Sequence, residues 1–403
     1  MNNDTNYFVD SLFNSLSLDE RIGQLFMVTA NGKNMTESYY NFVDSLIIND
    51  GIGGLIFFQS GPKELQNLLK RYNKKASIPL LTSLDAEWGL GMRLDSVEVF
   101  PWMMTLGAIQ DTSLVYNFGV EVAPQLKDLG IHINFAPVLD INNNPKNPII
   151  DRRSFGGDVG IVSRSGLAYM KGMQDNGVLA CGKHFPGHGD TEIDSHKGLP
   201  VMYHDRLRLD SLELKPFQDL INHGLGAIMI AHINLPIIDS SNVPSSLSPV
   251  VIQDLLKNQL NFEGLVISDA LNMGALSEYS DKGEVELQAF LAGNDILLCP
   301  NNVSYARKLI KDTIMTDKNL MEQLNNSCKK ILFFKKKLGA FDSQIINDTP
   351  ISLINQKTEL LNRELSKRSI TILKNDSSII PLQRIDSLKI AYVSIGGEDG
   401  DVF

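Results

Sequence analysis

Three of the chain's seven histidines and two aspartates crowd into one glycine-broken run, Lys183-His184-Phe185-Pro186-Gly187-His188-Gly189-Asp190-Thr191-Glu192-Ile193-Asp194-Ser195-His196. Imidazole alone titrates unperturbed between about pH 5 and 8, so histidines clustered beside carboxylates suit proton transfer or metal ligation better than packing. Within the run His196 is the natural proton carrier, because Asp194 two residues earlier can fix its tautomer and raise its basicity. The plain alternative is a solvated loop histidine. Zinc is a rival, since His184, His188, His196 and Asp190 offer enough ligand atoms, but Pro186, Gly187 and Gly189 disfavour the helical turn that would put His184 and His188 on one face. His132, His204, His223 and His232 read as structural histidines, His232 being also placed to line a site's floor.

Asp269 is the strongest single carboxylate, set in Gly264-Leu265-Val266-Ile267-Ser268-Asp269-Ala270-Leu271-Asn272-Met273. A carboxylate ending a buried strand is poorly hydrated, so it is either satisfied by partners or used. It would serve as a nucleophile or as an N-cap of the following helix, and the residues alone leave both open. Asp85, Arg93, Arg153 and Lys183 suit neighbouring sugar hydroxyls, which donate to carboxylates and accept from cations. Arg93 and Arg153 would serve equally as surface ion-pair partners. Trp88 offers a sugar ring an apolar face, or else packs in the core.

These groups need a scaffold, and the chain supplies a repeating one. Apolar runs at 22–30, 52–58, 79–85, 131–140, 178–184, 227–233, 265–269 and 295–299 predict eight buried strands. Helical patterns such as 114–129, 162–174, 206–222 and 249–260 lie between them. Eight strand-then-helix units predict an α/β fold of the (β/α)8 TIM-barrel type. Catalytic groups of such barrels sit at the C-terminal strand ends, which is where Asp85, Asp140, Lys183, His184, His232 and Asp269 fall. The barrel is expected over 1–345, closed by a long helical stretch at 303–338. After it, 346–403 reads as a polar linker (347–350) and an incomplete C-terminal α/β segment, with a helix at 353–367 and strand-like runs at 370–373 and 389–395. This reads as a truncated second domain, or else as an extension packed on the barrel.

Composition narrows the partners. With 43% hydrophobic residues and a formal charge of −10 over 403 residues, the chain can fill a large core and is poorly suited to nucleic acid or anionic membrane. Cys181, Cys299 and Cys328 are odd in number and widely spaced, reading as buried thiols rather than a disulfide framework. No run reaches about 18 apolar residues, and the start lacks the basic and apolar regions of a signal peptide. The expectation is a soluble cytoplasmic protein, or a periplasmic or exported one if a leader precedes this start.

The run 183–196 resembles, position for position, the Lys-His-Phe-Pro-Gly-His-Gly-Asp-Thr and Asp-Ser-His signature of glycoside hydrolase family 3, in its β-N-acetylglucosaminidase subgroup. The resemblance extends to Asn134-Phe135-Ala136-Pro137-Val138-Leu139-Asp140, to Asn147-Pro148-Ile149-Ile150, to Arg153-Ser154-Phe155-Gly156, to Ala231-His232, to Ser246-Leu247-Ser248 and to Ser268-Asp269. It spans roughly the first 340 residues in order.

The resemblance implies that Asp269 is the nucleophile, His196 the general acid/base and Asp194 its dyad partner. Asp85, Arg93, Arg153, Lys183 and His184 would hold the N-acetylglucosamine ring, and His188 and Asp190 are left to shape the loop. It further implies an exo-acting, retaining β-N-acetylglucosaminidase working by double displacement on peptidoglycan-derived material, with no metal or organic cofactor. The near alternatives are a family 3 β-glucosidase, which typically has tryptophan after the nucleophile where this chain has Ala270, and a phosphorylase, because a neutral acid/base spares incoming phosphate from repulsion. A sugar-binding module without catalysis is the alternative of a different class. Asp85-Ala86-Glu87-Trp88-Gly89-Leu90-Gly91-Met92-Arg93 departs from the family's commoner Asp-Gln-Glu-Gly-Gly-Arg-Val-Gln-Arg, which leaves the aglycone open.

Overall fold

Eight short aliphatic runs form strands β1 (Phe26–Ala30), β2 (Gly54–Phe57), β3 (Leu81–Leu84), β4 (Ile133–Asn134), β5 (Leu179–Phe185), β6 (Ala227–Ile230), β7 (Leu265–Ser268) and β8 (Leu297–Leu298) in a computed structural model. The structure describes residues 3–279, 283–342, 351–376, 378–383, 386, 387 and 389. All the strands pair in parallel, in the order β7-β6-β5-β4-β3-β2-β1-β8. The remaining seam is bridged where Ile267 meets Ile296 and the Ser268 N–H donates to the Ile296 carbonyl at 3.0 Å. The sheet is thereby a TIM barrel, as the repeat predicts. Its strands are rich in apolar residues because the helical ring covers one face and the barrel interior the other.

The expected strands are all present, β5 shifted by one residue at the same length and the others shorter. Ile22 and Gly23 belong instead to the helix Leu18–Gly23, held by a capping box in which Ser17 and Glu20 satisfy each other's backbone N–H groups. The expected helix over 206–222 is two, Arg206–Ser211 and Lys215–Ile221. Pro216 is the reason: it lacks an N–H and suits only a helix's first turn. The stretch 303–338 is likewise two helices, Val303–Ile314 and Lys318–Lys337, the second restarted by Asp317 accepting from the Asn319 and Leu320 N–H groups.

One continuous core joins strands to helices, and a smaller cluster of Val9, Phe13, Leu16, Ile78, Cys328 and Leu332 packs the helices Asn3–Ser15 and Lys318–Lys337 together. The three cysteines are free and buried. The helix Ile351–Ser369 packs on the helices Met103–Gly107 and Thr112–Asp128, where Asn355 and Asn362 bond the backbone at Ser96, Glu98 and Val99. A first compact unit ends at Ser369 and a second begins at Ile370. In that second unit residues 370–373, strand-like by sequence, are irregular and mostly exposed. The expected linker 347–350 lies outside the described residues, as does 389–395 apart from its first residue. Among the described residues no helix is long and apolar enough to cross a membrane.

Candidate active site

The C-terminal strand ends converge on a cavity of about 380 Å³. Asp85, Arg93, Arg153, Lys183, His184, His196 and Asp269 all line it, and Asp194 stands behind His196. A larger cavity, about 610 Å³, opens at the opposite end, beside Leu179, Gly226 and Gly264, and is lined largely by apolar side chains and lysines. The smaller one holds the groups able to do chemistry. Trp88 does not line it; its ring stacks on Trp102 with centroids 4.1 Å apart.

One wall is a buried ionic lattice. The Lys183 ammonium lies 2.7 Å from both Asp85 and Glu87, Arg93 reaches Asp85 at 2.6 Å, and Arg153 grips Glu87 at 3.0 and 2.8 Å. Burial alone would raise the Asp85 and Glu87 pKa values, but the lysine and the two arginines hold both below the usual carboxylate range. Burial opposes the charge on Lys183 and Arg153 too, and the carboxylates overcome it. Such a lattice is costly to desolvate and stays put only when its members satisfy one another, which makes it a rigid set of donors and acceptors for hydroxyl groups. Glu87 was missed by sequence reasoning; its signal was position, two residues beyond Asp85 at the same strand end.

A second hub is Asp140. Its carboxylate accepts from the His184 ring Nδ1 at 2.6 Å and from the His188 backbone N–H at 2.7 Å. Burial works against this charge and the two histidines outweigh it, so the pKa is lowered. With Nδ1–H committed to Asp140, His184 presents a lone pair at Nε2, 3.4 Å from the Arg153 guanidinium. The sequence placed Asp140 at a strand end without giving it this task.

Asp269 differs from the other three carboxylates. Among the described residues the one hydrogen bond to its carboxylate comes from the Ala270 N–H, at 2.8 Å, and it has no ion pair. Burial pushes its pKa up, yet His232, His184, that N–H and Lys183 together bring it below the normal value. It is therefore an ionised carboxylate with unused lone pairs at the cavity wall, the state a nucleophile requires. His232 is not on the wall; fully buried, it bonds Ser246 Oγ at 2.7 Å and the Ala270 carbonyl at 3.0 Å, fixing the backbone beside Asp269.

The loop after β5 brings in the last pair. His196 Nδ1 is 2.8 Å from Asp194, whose pKa is lowered because bonds from His196 outweigh its partial burial. The His196 side chain is 59% exposed, open to substrate and water. The loop's glycines serve close approach: a Cβ on Gly189 would lie 1.8 Å from the Ile141 carbonyl oxygen. The Ala275 and Gly274 N–H groups donate to the Ser195 and His196 carbonyls at 3.1 and 3.2 Å, so the loop after Asp269 holds the loop of His196. Asn147, also missed, donates to the His188 and Gly189 carbonyls at 2.7 and 3.1 Å and ties the loops after β4 and β5.

The histidines of the zinc alternative are committed separately, His184 to Asp140, His188 to Thr191 and Ser195, His196 to Asp194. Among the described residues, ligand atoms of Asp190, His204 and Glu213 do come within 4.8 Å of one another. The Arg208 guanidinium, however, bonds both Glu213 and Asp190 there, and a fixed cation already serves those carboxylates.

A family model described as the glycosyl hydrolase family 3 N terminal domain matches residues 17–333. The chain is 33% identical over 386 residues to a protein named beta-hexosaminidase A from Pseudoalteromonas piscicida, an alignment covering 87% of this chain and 64% of that one. It thus spans a little under two thirds of that relative's length. A glycoside hydrolase family 3 beta-N-acetylglucosaminidase from Paenibacillus sp. str. FPU-7 superposes with a TM-score of 0.81 at 36% identity, over 89% of this chain and 70% of that one. A beta-glucoside phosphorylase, BglX, bound to 2FGlc superposes with a TM-score of 0.85 at 25% identity, over 95% and 70%.

Proposed function

The chain belongs to glycosyl hydrolase family 3, and from that premise we propose that it is a retaining, exo-acting β-N-acetylglucosaminidase. The observation that carries this reading is the contrast among four carboxylates at the C-terminal strand ends, three of them buried and Asp269 partly so. Asp85, Glu87 and Asp140 are saturated by cations and N–H groups, whereas Asp269 is ionised, unpaired and shares its cavity with a histidine held by Asp194.

In the first step the Asp269 carboxylate attacks the anomeric carbon while the glycosidic C–O bond breaks. The electron pair leaves with the aglycone oxygen, which takes a proton from the His196 imidazolium. In the second step neutral His196 takes a proton from water. The water oxygen then displaces the Asp269 carboxylate, giving net retention. Asp194 keeps His196 in the tautomer that presents Nε2. Asp85, Arg93, Arg153, Lys183 and His184 bind the hydroxyl and acetamido groups of the ring.

A second acceptor, phosphate, is favoured by one observation. The acid/base is an imidazole, neutral in the second step, in a cavity that also presents Arg93, Arg153 and Lys183. Turnover of aryl N-acetylglucosaminides against aryl glucosides, with and without phosphate, tests both readings, and peptidoglycan-derived fragments are the first natural substrates to try. Release of free N-acetylglucosamine supports the hydrolase, and the sugar 1-phosphate supports phosphorolysis. Preference for glucosides sinks the acetamido assignment. Sugar binding without turnover over hours leaves a binding module.

A further inference from the structure

His188 is buried, 2% exposed, and belongs to none of the groups assigned above to substrate. Its ring spans the loop that carries Asp194 and His196. Nδ1 lies 2.5 Å from Thr191 Oγ1, and Nε2 lies 3.1 Å from Ser195 Oγ. The Thr191 hydroxyl gives its own proton to the His188 carbonyl at 3.0 Å, so its oxygen accepts from the ring N–H. Nε2 is left with a lone pair that accepts from the Ser195 hydroxyl. Only a neutral ring can play both parts. Burial keeps it neutral, pushing its pKa down to about 4.

Ser195 stands between the two members of the dyad. Its hydroxyl is fastened from inside by His188, and its carbonyl by the Ala275 N–H of the loop after Asp269. The His188 backbone in turn hangs on Asp140, which holds His184 at the cavity wall. One chain of bonds therefore runs from the cavity lining to the proton carrier.

We propose that His188 is a positioning residue for the acid/base step: through Ser195 it fixes the Asp194 and His196 pair over the cavity, and through Asp140 it ties that placement to His184. This rests on reading His196 as the acid/base. A loose dyad would fail where proton delivery limits the rate, and would go unnoticed with an aglycone that departs as a stable anion.

The test compares an alkyl N-acetylglucosaminide, a poor leaving group, with a dinitrophenyl one, an activated leaving group. It uses the wild-type chain, Ser195→Ala, Ser195→Thr, His188→Gln and His196→Ala. Ser195→Ala removes one hydroxyl and leaves the buried ring in place, so it stays informative if His188→Gln fails to fold. The expected result is a drop of about tenfold or more in kcat for the alkyl substrate in Ser195→Ala, little change for the dinitrophenyl one, and recovery in Ser195→Thr. Equal losses on both substrates, or none, overturn the proposal, because a merely structural histidine does not sort leaving groups. If His196→Ala itself shows no preference between leaving groups, the acid/base reading falls and this proposal with it. If it does and Ser195→Ala does not, only the positioning role is lost.

Discussion

Glu87 and Arg153 meet through two parallel hydrogen bonds, at 2.8 and 3.0 Å, with the carboxylate fully buried and Lys183 2.7 Å from one of its oxygens. Removing that carboxylate strands the Arg153 guanidinium and leaves Lys183 with Asp85 alone. Glu87→Ala is expected to destabilise the protein by about 3–5 kcal/mol and to raise KM sharply, because the lattice then loses its geometry. Glu87→Gln, which keeps the shape, should cost less. Urea unfolding alongside Michaelis kinetics checks both, and wild-type stability in Glu87→Ala would contradict the buried lattice.

Asp269→Ala should lower turnover of an aryl N-acetylglucosaminide by on the order of 10³ or more, since Asp85 and Glu87, which share the cavity, are both held in ion pairs. An activated fluoro-sugar should leave its label on Asp269, read by peptide mass spectrometry. A label on Asp85 or Glu87 would overturn the assignment.

Gly274 is a lever on His196, the proposed proton carrier, through the backbone. A Cβ there would lie 2.5 Å from the His196 carbonyl oxygen, so Gly274→Ala must push the two loops apart. We expect kcat to fall by roughly 10- to 100-fold on alkyl glycosides, with KM and melting temperature little changed. A wild-type rate would show that the loops need not touch.

Stability should depend on pH through buried bases. Lys335 is fully buried in the helix Lys318–Lys337, where it bonds Gln24, and burial pushes its pKa down to about 7. The unfolded chain holds that proton up to about pH 10.4, so stability should rise with pH above 7 and level off near 10.4. Lys335→Met should flatten that rise. His132 and His188, both pushed by burial to about 4, act in a lower window: their contribution is full above the unfolded value near 6.5 and is lost as pH falls through 4. Denaturation midpoints between pH 4 and 10 read both windows, and a flat profile would contradict these burials.

The barrel could be read from sequence because parallel strands covered on both faces are mostly apolar, and Leu179–Phe185 is buried at every position. Several of the cavity residues could be read because Asp85, Lys183, His184 and Asp269 fall at or just past the C-terminal ends of strands. What escaped is long-range pairing. Glu87 and Arg153 are 66 positions apart, and Asn147 and His188 are 41, so neither contact leaves a periodic trace. Trp88 was left open between a sugar face and packing; its ring turns to Trp102, a partner that no local pattern names. Pro216 and the Ser17 and Glu20 pair were local signals that the hydrophobic pattern overrode.

The saturated lattice bears on salt. Lys183, Arg93 and Arg153 already face Asp85 and Glu87 before any ligand arrives, so a neutral sugar entering the cavity need neither recruit nor expel a mobile ion. The dipoles that meet its hydroxyls are oriented at folding and lie out of reach of the ionic atmosphere, and the affinity for the ring should be nearly the same in dilute buffer and in brine.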